Sequence, residues 1–157
     1  DGSGLMKLTI SIGLDTLPVW APDGSKIVFV SERDGNKEIY LMNSDGSNQV
    51  RLTNSPGSDT SPSWAPGGSR ITFESDRDGN REIYLLNIDT GSELRLTNTS
   101  AVDRSAAWSP DGFQITFVSA RDGNEDIYVM YSDGTGQTRL TNSSGLDDSP
   151  SWSYINP

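Results

Sequence analysis

Ser61-Pro62-Ser63-Trp64-Ala65-Pro66-Gly67-Gly68, running on through Ile71-Thr72-Phe73 to Arg77-Asp78-Gly79-Asn80 and Ile83-Tyr84, is the stretch that decides the fold. Its residue types return at a fixed step of 44 residues along the whole chain. Tryptophan stands at Trp20, Trp64, Trp108 and Trp152, with no insertion or deletion between copies. Ile27, Ile71 and Ile115 keep the same step, as do Phe29, Phe73 and Phe117, the Arg-Asp-Gly-Asn runs at Arg33, Arg77 and Arg121, and the Ile-Tyr pairs at Ile39, Ile83 and Ile127. Leu-Thr recurs four times, at Leu8, Leu52, Leu96 and Leu140. A period in this range is the mark of a repeat architecture, and it outweighs any local reading.

Within one unit, Lys26-Ile27-Val28-Phe29-Val30-Ser31 and Glu38-Ile39-Tyr40-Leu41-Met42-Asn43 are β-branched and aromatic runs bounded by Asp-Gly turns, which predicts two strands. Asp34-Gly35-Asn36 and Asp45-Gly46-Ser47 supply residues that tolerate positive φ in tight hairpins, so neighbouring strands should be antiparallel. A strand ending at each Trp and another at each Leu-Thr bring the unit to four short strands, the content of one β-propeller blade. Ile27 and Phe29 point to one face and Val28 and Val30 to the other, so the sheet is expected to be sandwiched between neighbours.

The expected fold class is therefore all-β: a propeller of four-stranded antiparallel blades of 44 residues. Residues 1–19 read as a partial blade, 20–63, 64–107 and 108–151 as three repeats, and 152–157 as the start of another. Closed rings take about four to eight blades. Three units with surplus strands leave apolar faces and strand edges open, which predicts completion by self-association, with two copies closing head to tail into a dimer, or by missing blades of a parent protein.

Composition narrows function. The net charge of −10 is spread through every segment and repels phosphate backbones and anionic lipid, so no nucleic-acid partner is expected. No run is apolar enough for membrane insertion as a helix. Cysteine and histidine are both absent, which removes thiolate nucleophiles, Cys- or His-bound zinc and the usual general base. No Ser-x-x-Lys or Gly-x-Ser-x-Gly motif accompanies Lys7, Lys26 or Lys37. Neither an enzyme nor a cofactor nor a metal is expected. Asp76-Arg77-Asp78-Gly79-Asn80 imitates the start of a calcium loop, but Glu32 and Ala120 stand at the place of Asp76 in the sister repeats, and the hairpin already accounts for the run.

The 61–68 string, together with Trp108-Ser109-Pro110-Asp111-Gly112, Ile115-Thr116-Phe117-Val118-Ser119-Ala120-Arg121-Asp122-Gly123-Asn124 and Asp126-Ile127-Tyr128, resembles the TolB-type WD-like propeller repeat, and the resemblance covers essentially the whole chain. It implies a propeller, a non-catalytic protein-binding or scaffold role, and a periplasmic or extracellular location. Similar blades occur in the propellers of prolyl-oligopeptidase-like and tricorn-like peptidases, so a fragment of a peptidase gating domain is the alternative, as is an excised or engineered blade array. Fold alone does not choose among them. Gly67 replaces the Asp of its siblings Asp23 and Asp111, and Tyr154 stands where they have Pro22, Pro66 and Pro110.

Residues identical in every repeat serve what every blade needs; recognition of an asymmetric partner belongs where the repeats differ. Asp15, Asp59, Asp103 and Asp147 precede each Trp by five residues; they either ring a channel mouth or accept hydrogen bonds from loop backbone. The Arg33, Arg77 and Arg121 side chains are expected to bridge to an acid of a neighbouring blade. The Trp, Phe and Tyr sets are expected in the core. The connection before the first Trp departs most: Ile10, Ile12, Leu14, Leu17 and Val19 replace Asn54, Pro56, Ser58, Ser61 and Ser63. With Val102 and Leu146, these aliphatics are the candidate interface toward another chain or blade, the alternative being local packing against Trp20.

Overall fold

A computed structural model describes residues 1 and 3–153, and Tyr154 with its neighbours to 157 lies outside the described residues. Among the described residues there is no helix. The runs singled out by their β-branched and aromatic content form β2 (Lys26–Ser31), β3 (Glu38–Asn43), β6 (Arg70–Ser75), β7 (Glu82–Asn87), β10 (Gln114–Ser119) and β11 (Asp126–Tyr131). Three of the tryptophans close strands: β1 (Asp15–Trp20), β5 (Asp59–Trp64) and β9 (Asp103–Trp108). The fourth strands are short: β4 (Val50–Arg51), β8 (Glu93–Arg95) and β12 (Thr138–Arg139). Pairing is antiparallel, in sequence order, within three four-stranded sheets. These are the first, second and third blades.

The second and third strands pair without a slip, from Lys26↔Asn43 to Ser31↔Glu38 and equivalently in the other two blades. The first strand carries a bulge. Its register shifts between Thr16 and Val19, and between Thr60 and Ser63, where Leu17 and Ser61 have φ of 50° and 52°, as Ser105 does at 56° in the third blade. Ser149 shares that conformation (φ 58°), although no strand is assigned to residues 140–153. Residues 3–14 are likewise without a strand. The expected strands around Leu8 and before Trp152 are thus not formed, because each would pair with a strand that the described residues do not contain.

Side chains at these two places nevertheless keep the contacts of the repeat. The Leu8 carbonyl accepts from Gln49 Nε2 at 3.1 Å, as the Leu96 carbonyl accepts from Gln137 at 3.1 Å. Trp152 Nε1 donates to the Ala107 carbonyl at 3.1 Å, as Trp64 Nε1 does to that of Val19. Between the sheets, Val28, Val30, Ile39 and Leu41 of the first blade meet Trp64, Ile71, Phe73, Tyr84 and Leu86 of the second. Ile83 of the second blade, with Leu96, meets Trp108, Ile115, Phe117, Tyr128 and Met130 of the third. On the opposite face of the first blade, Ile27, Phe29, Tyr40 and Met42 form a buried cluster with Leu8 packed against it. Position in the array overrides residue type here. Trp20 was expected in the core but is 54% exposed, whereas Trp64 and Trp108 are 8% exposed, because a preceding blade covers those two and not Trp20.

Phe73→Ala removes a fully buried ring from the first–second interface and should lower unfolding free energy by about 3–5 kcal/mol in urea titration. Gly46 has φ of +85°, and a Cβ there would lie 2.7 Å from the Leu8 carbonyl oxygen. Gly46→Ala should therefore cost about 1–3 kcal/mol. Gly24→Ala, with nothing within 4 Å of its Cβ, should cost less in the same assay.

Candidate functional site

The repeated aspartates open the first strand of each blade, and burial rather than exposure defines them. Asp59 and Asp103 are fully buried. Their hydrogen-bond partners are side chains rather than loop backbone. Asp59 receives the Arg77 guanidinium at 2.8 Å and the Ser55 hydroxyl at 3.1 Å; Asp103 receives Arg121 at 2.9 Å. Asp15 pairs with Arg33 at 3.3 Å and with Ser11 at 2.8 Å. Asp147 is half-buried and receives the Ser143 hydroxyl. Each arginine thus binds within its own blade, correcting the expected bridge to a neighbour. Arg77 also donates to Ser75 Oγ at 2.9 Å and to Glu93 of β8, with its guanidinium carbon 4.6 Å from the Tyr84 ring centroid and 5.5 Å from that of Phe73. Held by donors and stacked on two rings, it ties the ends of β5 and β8 together.

A second buried acid escaped recognition as part of this network, since it reads only as a turn-to-strand residue. Glu38, Glu82 and Asp126 begin the third strand of each blade and are fully buried. Glu38 accepts from Arg51 at 2.7 Å, the Thr53 hydroxyl at 2.6 Å, Asn36 at 2.9 Å and the Ser55 N–H at 3.1 Å. The signal available in the sequence was the recurrence, at the same step, of an acid just before Ile-Tyr and an arginine just before Leu-Thr. Burial pushes Asp59 and Asp103 above the usual 3.8, with Glu38 and Glu82 adding to the push. Asp15 moves the other way: burial acts on it too, but hydrogen bonds from Ser31, Ser11 and Thr9 prevail. Burial, followed by a hydrogen bond to Asp34, Asp78 or Asp122, raises the phenols of Tyr40, Tyr84 and Tyr128 to about 12.

One buried acid occurs in a single blade. Glu74 of β6 accepts the Ser105 N–H at 2.9 Å, reaching across to the bulge of the third blade, and pairs with Arg81 at 3.4 Å. Val30 and Val118 occupy the same place in the other blades. Arg104, where the first two blades have Thr16 and Thr60, holds Glu125 at 2.7 Å and Asp148 at 3.0 Å. Asp76 accepts the Ser58 N–H at 2.7 Å, so the imitation calcium loop is occupied in closing its own surroundings. Among the described residues no three His, Cys, Asp or Glu side chains gather to hold a metal ion.

Of the interface candidates, Ile10, Ile12, Leu14, Leu17, Val102 and Leu146 are exposed. Val19 is not available in that way, because its side chain packs into the first–second core. Leu14, Val102 and Leu146 occupy equivalent places in the repeat, each one residue before a repeated aspartate, with Ser58 in the fourth such place. Two cavities accompany these surfaces. One of about 170 Å³ lies on the open face of the first blade, between Leu8, Pro18, Phe29 and Met42. The other, about 360 Å³, is lined by Trp20, Trp64, Trp108 and Trp152 with Pro22, Pro66 and Pro110, at the end of the first strands away from the aspartates. These surfaces are suited to binding; the buried acids and arginines neutralise one another.

Comparison with known proteins agrees with the repeat. A 44-residue segment is 43% identical to the Tol-Pal system protein TolB of Bordetella pertussis, covering 28% of this chain and 10% of that protein. The crystal structure of TolB from Acinetobacter baumannii superposes with a TM-score of 0.79 at 30% identity, over 88% of this chain and 35% of that one. The chain therefore spans only a part of these relatives. A puromycin hydrolase superposes with a TM-score of 0.73 over 90% of this chain and 24% of its own, but at 17% identity this shows a common fold and nothing more. The TolB beta propeller domain matches residues 4–106 and again 54–155, and with three successive four-stranded sheets built on its repeat, the chain belongs to the TolB β-propeller domain family.

Proposed function

We propose that the chain is a non-catalytic protein-binding module that recognises its partner on the face bearing the inter-blade loops. The observation carrying this reading is the placement of Leu14, Val102 and Leu146, three exposed aliphatics at equivalent loop positions around a framework whose polar side chains are engaged with one another. Apolar anchors set among charged groups are what a protein interface uses. The Tol-Pal name of the relatives supplies the probe, and a periplasmic location belongs to the same reading.

The outer face of the first blade carries Ile27, Phe29, Tyr40 and Met42 beneath Leu8, the positions with which the second and third blades meet their predecessors, and leaves Trp20 exposed beside them. A further blade fits there, supplied by a second copy in head-to-tail pairing or by more of the same polypeptide. In the first case Thr116, Val118, Ile127 and Val129 of the third blade take the part that Val28, Val30, Ile39 and Leu41 play in the first–second interface.

Titration calorimetry against purified Tol-Pal components should detect a complex that Val102→Asp and Leu146→Asp weaken at least tenfold, with near-ultraviolet circular dichroism unchanged. Heat of binding unaffected by both substitutions, or absent with every component, overturns the assignment of this face. In light scattering at micromolar concentration the chain should run as a dimer that Trp20→Asp dissociates, Trp20 being exposed where Trp64 and Trp108 are covered by a preceding blade; a folded monomer removes the second copy.

A further inference from the structure

The first strand of the second blade, with the connection before it, is seated on the first blade by a set of hydrogen bonds. Asn36 Nδ2 donates to the Ser55 carbonyl at 2.9 Å and to that of Gly57 at 2.6 Å. The Asp59 N–H donates to the Lys37 carbonyl at 2.8 Å, and Trp64 Nε1 to the Val19 carbonyl at 3.1 Å. The segment after β12 makes the same four bonds on the third blade. Asn124 Nδ2 donates to the Ser143 and Gly145 carbonyls at 3.0 and 2.8 Å, the Asp147 N–H to the Glu125 carbonyl at 2.9 Å, and Trp152 Nε1 to the Ala107 carbonyl at 3.1 Å. Ser149 even has the positive φ of the bulge in β1, β5 and β9. Residues 140–152 thus lie where the first strand of a following blade lies.

The first blade carries its own form of this segment. Asp15–Trp20 pairs with β2 as Asp59–Trp64 pairs with β6. The Ser11 hydroxyl donates to the Gly13 carbonyl and to Asp15, as that of Ser55 does to Gly57 and Asp59. Gln49 holds the Leu8 carbonyl as Gln137 holds that of Leu96. When the first blade of one copy stacks on the third blade of another, residues 8–20 of the one and 140–152 of the other therefore fall in a single place, which only one of them can fill. We infer, resting on the head-to-tail pairing proposed above, that the third blade is the docking site for the Trp20 strand of a second copy, and that residues 140–152 are its intramolecular competitor, which must leave before the copies join.

The two attachments differ in strength, which decides the segment that gives way. β1 is laddered onto β2, Val19 packs into the first–second core, and its carbonyl holds Trp64, so removing β1 would open a finished junction. Residues 140–152 form no strand. They are held by the four bonds above, by those of Leu140 and Thr141 to Ile127, and by Asp148, which pairs with Arg104 at 3.0 Å. Arg104 retains Glu125 at 2.7 Å when that pair breaks. After the exchange Trp20 Nε1 of the second copy takes the Ala107 carbonyl, and Asn124 takes the Ser11 and Gly13 carbonyls. The gain is burial of Trp20, which is exposed in the single chain where Trp64 and Trp108 are covered. A competitor in the seat weakens apparent affinity in proportion to the fraction of seats left free.

Sedimentation velocity on the full chain and on two charge-neutral variants reads the competition. Trp152→Ala removes the anchor of the competing segment, and Ser149→Pro forbids its positive φ. Each should lower the dimer dissociation constant about tenfold, opposite in sign to Trp20→Asp, although Trp20 and Trp152 hold the same repeat position. Exchange of the Asp147 N–H, slow in the dilute chain, should become fast as rising concentration drives pairing. A dimer that neither variant tightens, and in which Asp147 stays protected, overturns the competition and leaves the pairing standing. A chain that is monomeric in all three forms overturns both. The variants act by different means, and exchange in the unaltered chain decides even if neither folds.

Discussion

Every blade is a sheet with apolar side chains on both faces, and that constraint governs the rest of the structure. Val28 and Val30 alternate with Ile27 and Phe29 on one strand, and all four are buried, yet they look in opposite directions into different clusters. No single blade can shelter both sets, so the unit of stability is the interface between blades rather than the blade itself. Trp20, at the same repeat position as Trp64 and Trp108 but with a different exposure, shows that burial in such an array is conferred by a neighbour.

The polar network is a consequence of the same stacking. Packing sheets face to face buries the strand ends with their acids, and each buried carboxylate then needs donors of its own. Arginines whose guanidinium groups lie over Phe and Tyr rings provide them within a blade, and the inter-blade loops provide hydroxyl groups and N–H groups. The recurring charged residues are thereby committed to holding the framework, while the loop positions where the copies diverge carry no such duty.

Much of the fold was legible because a 44-residue period constrains every copy at once: strand content, hairpin order and the two apolar faces follow from it. The chain ends were less legible, since the Leu8 and Trp152 segments carry strand-like sequence but lack a strand to pair with. The burial of the aspartates was hidden for a different reason. An Asp in a Ser- and Gly-rich loop looks exposed, and nothing local announces that an arginine 18 residues later will fold back over it. Glu38 and Glu82 were hidden by their neighbours, because an acid at the edge of an apolar strand resembles an ordinary turn residue until its Arg partner, 13 positions on, is seen to return beside it.

Aliphatic contacts between blades are nearly interchangeable, so by themselves they would let any blade stack on any other. The bulge in the innermost strand alters this. It turns the Ser105 amide toward the preceding blade, where Glu74 meets it and where the valines of the sister blades offer no acceptor. A single acidic side chain thus gives one junction an identity: the blade bearing Glu74 is satisfied only ahead of a partner presenting that amide, which makes blade order along the array a property written in hydrogen bonds as well as in hydrophobic fit.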